Sequence, residues 1–183
     1  MTARRIHLVG ASGSGTTTLG RALARHLGCP HFDTDDYYWL PTEPKFEQIR
    51  DRAVRQALLG NDLEHHPAWV LSGSLCGWGD IFIPLFDLVI FCAVPSEIRI
   101  ARLRVREQER YGEEAIAPGG RLRAKYEGFI AWAASYDDGP MVERSRQMHE
   151  AWLATVPGPV LRLEDTDDVE TRLARVVARL AQD

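Results

Sequence analysis

The stretch that most constrains this chain is Gly10–Gly20, GASGSGTTTLG, which follows the apolar run IHLVG and leads into the helix-like LGRALARHLG. Gly10, Gly15 and Thr17 meet the spacing G-x-x-x-x-G-x-[ST], and a strand before with a helix after is the context that gives that spacing meaning. Glycine accepts positive φ and close approach, so successive N–H groups can turn inward onto one anion at the positive end of a helix beginning near Thr16. The pattern predicts a phosphate-binding loop made of Gly10, Ser12, Gly13, Ser14, Gly15, Thr16, Thr17 and Thr18. Thr17 is placed to give its hydroxyl to a Mg2+ ion on the terminal phosphates of ATP or another nucleoside triphosphate. A plain turn between strand and helix would explain the glycines but not the agreement of both flanks.

One position departs from the pattern: threonine stands at 16, where such loops carry lysine. A unit charge about 4 Å from a phosphate oxygen contributes on the order of 4 kcal/mol at an effective dielectric of 20. If all of that acts on the transition state, its loss costs roughly 10³ in rate. Binding survives, because backbone donors, the helix dipole and a divalent ion remain. Catalysis needs the charge from elsewhere. Lys45 and Lys125 are the only lysines, and neither is near the loop in sequence, so arginine is the expected substitute.

Short apolar runs alternate with longer amphipathic ones, the pattern of a parallel sheet covered by helices. Strands are expected over 4–10, 30–33, 69–74, 88–94 and 159–164. Helices are expected from Thr16 to Gly28, from Phe46 to Leu59, from Pro95 and Ser96 onward, over about 121–136 and 141–155, and at the C-terminus. The segment 111–120, YGEEAIAPGG, breaks periodicity with Gly and Pro and reads as a mobile excursion. At 183 residues the chain reads as one α/β domain, 1–183.

The net charge of −4 gives no reason to expect a nucleic-acid partner. No apolar stretch approaches the roughly 20 residues of a membrane span, and the N-terminus lacks the apolar core of a signal peptide. Three scattered cysteines argue against disulfides and thiolate metal sites. A soluble, cytoplasmic protein is expected, as monomer or homodimer.

Asp33 and Asp35 follow the second strand in FDTDDYYW, beside the phosphate loop at the sheet edge where open α/β sheets bind ligands. If the chain stays extended there, both point to one side. The competing reading is that these aspartates cap the following helix, with Asp36 well placed for it. Tyr37, Tyr38 and Trp39 suit either a pocket wall or core, and Arg50 and Arg55 either an anionic acceptor or solvated helix charge. Arg99, Arg102, Arg106 and Arg110 fall on one face of the helix after the fourth strand. Such a stripe is offset either by an anion or by the neighbouring glutamates, Glu107 among them. His7 reads as structural, His65 and His66 as surface, and His149 and Trp152 carry no recognisable chemistry.

On GASGSGTTTLG, FDTDDYYW, WVLSGS and VPSEIRIARLRVRE the chain resembles the small P-loop kinases: nucleoside monophosphate kinases, shikimate and gluconate kinases, and the adenylate-kinase-related or topology-modulation group. It departs from many of them at Thr16 and at Ser72, where they carry aspartate. The resemblance implies a three-layer P-loop NTPase fold, a five-stranded parallel sheet in the order 2-3-1-4-5 with helices on both faces. It also implies a substrate-binding region at about 34–66 and a small lid at about 106–123. It implies that Asp33 holds a magnesium-bound water and that Asp35 anchors the acceptor hydroxyl or acts as base. Arg102 and Arg106 are implied as the lid arginines that neutralise charge in the transition state, and the loop after the fifth strand as a contact for the donor base. The expected function is transfer of the terminal phosphoryl group of a nucleoside triphosphate to a small acceptor, a nucleotide or a hydroxylated metabolite. The alternatives are nucleotide binding with little or no catalysis, and simple hydrolysis.

Overall fold

The computed structural model describes residues 4–139 and 144–182. Five strands, β1 (Arg5–Gly10), β2 (His31–Asp33), β3 (Trp69–Ser72), β4 (Leu88–Cys92) and β5 (Val160–Leu163), form one sheet in the order β2-β3-β1-β4-β5. Every pairing is parallel. All the carboxyl ends therefore meet along one edge, and the chain leaves β1 at the middle of it.

Alternation along the strands divides the core in two. Ile6 and Leu8 of β1 with Leu88 and Ile90 of β4 face α1 (Thr16–Leu27) and α8 (Val169–Leu180), contacting Leu19, Leu23 and Val176. Val9, Leu71, Val89 and Phe91 face the other way, onto Leu59 and Leu63 of α3 (Arg52–Glu64) and onto Trp152 and Leu153 of α7 (Arg146–Leu153). Period-2 strands buried on both faces are what crossover helices produce. His7 belongs to this second layer: it is fully buried, stacks on Phe86 at 4.9 Å and bonds the Leu71 carbonyl through Nδ1 at 3.1 Å.

Several expected boundaries move. The helix expected from Phe46 begins only at Arg52, because Trp39 and Ile49 form an antiparallel bridge that holds 46–50 out of helix. Asp51 then caps the helix, accepting from Ala53 and Val54 N–H at 2.9 and 3.2 Å. A short helix, α2 (Thr34–Tyr38), starts directly after β2. The excursion after α4 (Ser96–Tyr111) is folded back on itself: α5 (Glu113–Ile116) makes a helical turn, and Leu122 N–H returns to the Ala115 carbonyl at 2.9 Å before α6 (Arg123–Ala134). Part of the helix expected over 141–155 lies outside the described residues. Among the described residues no helix is long and apolar enough to cross a membrane.

Candidate active site

Gly15 caps α1 in the left-handed region, no side chain caps this helix, and no acidic residue occupies its first turn. The N–H groups and dipole at Thr16, Thr17 and Thr18 are thus unopposed. Gly13 cannot be replaced: its φ is +82°, and a Cβ there would lie 2.7 Å from the Arg99 carbonyl oxygen. Arg172 of α8 braces the loop from the far side, donating from Nη1 to the Ser14 carbonyl at 3.1 Å and from Nε to Asp165 at 2.8 Å. Ser14 does not face the ligand side as its sequence position suggested. Its N–H bonds the Ala11 carbonyl at 3.1 Å, and its fully buried hydroxyl lies over Gly10 without a hydrogen-bond partner.

Asp33, rather than Asp36, caps α2, because no residue separates strand from helix; its Oδ1 accepts from Asp35 N–H at 3.1 Å. Its Oδ2 accepts from the Thr17 hydroxyl at 2.8 Å and from the Ser72 hydroxyl at 3.4 Å. Thr17 gives its hydrogen to Asp33, so its oxygen lone pairs stay free for a hard cation. That pair fits Mg2+, which is held through one or two protein oxygens, several waters and substrate phosphates. Such a site needs no closed cage of ligands, and among the described residues no group of three or more His, Cys, Asp and Glu forms one.

The extended geometry that would align Asp33 with Asp35 is absent, since the helix begins at Thr34, yet both line one cleft of about 920 Å³. Asp35 is exposed to the water of the cleft, with the cleft walls around it. Crowding there pushes its pKa up, against the pull of the Arg144 guanidinium. The same cleft is lined by the phosphate loop from Gly10 to Thr18 apart from Ser14, by residues 39–43, 45 and 46, and by Gly73 and Ser74. Among the described residues seven cationic side chains reach it against four carboxylates, although the chain as a whole is acidic.

The arginine stripe does not act as a unit. Arg99 is buried and structural, donating to the carbonyls of Val94 at 2.9 Å and Ala133 at 3.1 Å and pairing with Asp137 at 2.6 Å. Arg106 and Arg110 line the cleft while sharing buried Glu107 at 3.1 and 2.7 Å. Arg102 lines the cleft one turn beyond Arg99, with no hydrogen-bond or ion-pair partner among the described residues.

Arg50 lines the cleft while also tied to its own chain, whereas Arg55 is buried under aromatic rings rather than solvated. Arg50 donates to the carbonyls of Tyr37 at 2.9 Å and Trp39 at 3.1 Å, while buried Arg55 lies over the rings of Tyr38 at 4.4 Å and Trp78 at 5.2 Å. Tyr37 is core, Tyr38 packs against that core, and Trp39 reaches the cleft. Arg144 was not legible in the sequence: nothing in its GPMVERSR setting separates it from surface charge. His149 was also passed over, although it is fully buried between the Ser74 hydroxyl at 3.1 Å and the Tyr136 hydroxyl at 2.8 Å. The acidic loop after β5 ends in the cap of α8, Asp168 accepting from Thr171 N–H at 2.8 Å.

A family model described as an AAA domain matches residues 6–121, more than half of the chain. The chain belongs to this family of P-loop kinases. A relative from Bacillus subtilis (strain 168), the uncharacterized protein YqaC, is 46% identical over 178 residues, covering 97% of this chain and 98% of its own. Shikimate kinase of Streptomyces avermitilis is 38% identical over 74 residues, 34% of this chain and 43% of that enzyme. In fold, the chain matches shikimate kinase from Bacteroides thetaiotaomicron with a TM-score of 0.58 at 21% identity, covering 97% and 98% of the two chains. Shikimate kinase from Acinetobacter baumannii, solved in complex with shikimate, matches with a TM-score of 0.54 at 16% identity over 99% and 94%.

Proposed function

We propose that the protein is a kinase that binds ATP with Mg2+ on the loop from Gly10 to Thr18 and transfers the terminal phosphoryl group to a hydroxyl of a small anionic acceptor seated at Asp35. The observation that carries this reading is one cleft uniting an uncapped helix mouth, a raised-pKa carboxyl and an excess of guanidinium groups. The acceptor oxygen forms a bond to the terminal phosphorus as the bond to the bridging oxygen breaks, and the hydroxyl proton passes to Asp35. Mg2+ supplies charge neutralisation on the phosphates, with Thr17 and Asp33 on its protein side. Arg102 supplies the cation missing at position 16, with Arg106 beside it; preorganised charge of this kind is the main lever in phosphoryl transfer.

Arg50 and Arg55 are engaged with their own chain, so an anionic group on the acceptor meets Arg144. That favours a hydroxylated acid over a nucleoside monophosphate. Steady-state ADP release with MgATP, across hydroxy acids, sugars and nucleoside monophosphates, tests the proposal. Turnover that rises only with particular acceptors is expected. ADP release indifferent to every acceptor would make the protein a hydrolase, and binding without turnover would make it a nucleotide sensor.

A further inference from the structure

We propose that Ser72 and His31 are positioning residues for the divalent-ion face of this site: together they hold Asp33 against Thr17. This rests on the nucleotide-binding reading above.

The four side chains form one directed chain. The His31 Nε2 lies 2.9 Å from Ser72 Oγ, Ser72 Oγ lies 3.4 Å from Asp33 Oδ2, and the Thr17 hydroxyl donates to that same oxygen at 2.8 Å. A serine hydroxyl has a single hydrogen. When His31 donates from Nε2, the Ser72 hydrogen is left for Asp33, which then receives donors from Thr17, Ser72 and Asp35 N–H together. Without the imidazole, the Ser72 rotor is free to turn away and Asp33 loses one of its three anchors. Asp33 and Ser72 are paired neighbours across β2 and β3, so this contact is built into the sheet register.

A second, independent feature points the same way. Gly20 sits inside α1, where alanine is the better helix former. A Cβ at that position would lie 2.9 Å from His31 Nε2 and 3.3 Å from Ser72 Cβ. The helix keeps a glycine where the imidazole needs the space.

The test is ATP affinity by calorimetry in excess Mg2+ and in EDTA, for the parent protein, Ser72→Ala, His31→Phe and His31→Gln. The gain from Mg2+ is expected to fall on the order of tenfold in Ser72→Ala and His31→Phe, while metal-free affinity stays within about twofold, because outer partners of metal-facing groups tune metal affinity at that level. His31→Gln keeps an N–H donor near the Nε2 position and is expected to retain most of the gain. An unchanged Mg2+ gain in both Ser72→Ala and His31→Phe would overturn the proposal, as would equal losses with and without metal. A parent that binds ATP with no gain from Mg2+ overturns this proposal alone; a parent that binds no ATP in either condition overturns the nucleotide reading as well. Should Ser72→Ala fail to fold, the His31 pair carries the same comparison.

Discussion

Between β1 and α1 the loop is fixed from every side: α4 presses on Gly13, Arg172 holds the Ser14 carbonyl, and Thr17 is tied to Asp33. Between α2 and α3, residues 39–50 are fixed by much less. A single bridge joins Trp39 to Ile49, Arg110 lies over the Phe46 ring at 4.9 Å, and Lys125 bonds the Lys45 carbonyl at 2.7 Å and the Glu47 carboxylate. The first region gathers backbone donors that every nucleoside triphosphate needs alike. The second borrows side chains from α4 and α6. The difference teaches that the phosphate-loop side of the cleft, the donor half under the proposed function, is preorganised, whereas the side of residues 39–50, its proposed acceptor half, is assembled from elements that touch mainly at their surfaces. Both of the chain's lysines serve that second clasp.

Variants that strike one half and spare the other test this contrast most directly. Asp35→Asn is expected to lower phosphotransfer by about 10²–10⁴-fold while leaving MgATP affinity unchanged, read by coupled assay and calorimetry. Equal loss in both would place Asp35 in the donor half. The parent's kcat/KM should decline with acid at a pH above the range of an ordinary aspartate, near 3.9, because burial raises this carboxyl and the base is lost on protonation.

On the donor side, Arg102→Ala is expected to lower kcat by about 10²–10³-fold with a smaller effect on nucleotide affinity. Adding Thr16→Lys to that variant should restore part of the rate, since both side chains supply one positive charge near the same phosphates. No recovery would mean that the charge at position 16 is met from elsewhere. Gly13→Ala should cost about 2–5 kcal/mol of stability through a forced left-handed backbone and the collision with Arg99, seen as a drop in Tm.

The layer between the sheet and α7 answers to pH through two histidines, His149, which bonds Ser74 at the cleft, and His7, which packs on Trp152. Burial holds both at about 3 in the folded protein, against 6.5 for an ordinary histidine. The unfolded chain therefore takes up protons that the folded chain refuses, so their contribution is whole above pH 6.5 and drains away as pH falls toward 3. Each histidine contributes a slope of up to about 1.4 kcal/mol per pH unit in that window. Thermal melts between pH 7 and 5 should show it, and His149→Gln should flatten it. The smallest effect belongs to the clasp. Lys125→Ala removes a partly exposed ion pair and should change stability by less than about 1 kcal/mol. Any kinetic effect is expected in the acceptor KM rather than in nucleotide binding.

Much of this was legible in the residues. The period-2 strands, the helix spacing of α1 and the glycine loop gave the layers, and the resemblance supplied the strand order that the sheet adopts. The settings of Ser14, Arg99 and Arg55 escaped the sequence for one shared reason: sequence shows that a side chain is polar, not which carbonyl or ring comes within its reach. Arg99 reads like Arg102 until Ala133 and Asp137 arrive beside it from 34 and 38 positions away.

The sequence by itself determined the local chemistry: a loop whose glycines permit inward-facing amides, a threonine in the place of a lysine, and strands that must be covered on both sides. Those properties depend on neighbours within a few residues, where steric and hydrogen-bonding preferences act directly. Only the tertiary structure decided which guanidinium groups face the cleft, that Arg144 joins Asp35 in it, and that His31 reaches Asp33 through Ser72. Such pairings depend on distances between elements far apart in the chain, and those distances exist only once the two apolar layers have closed on the sheet.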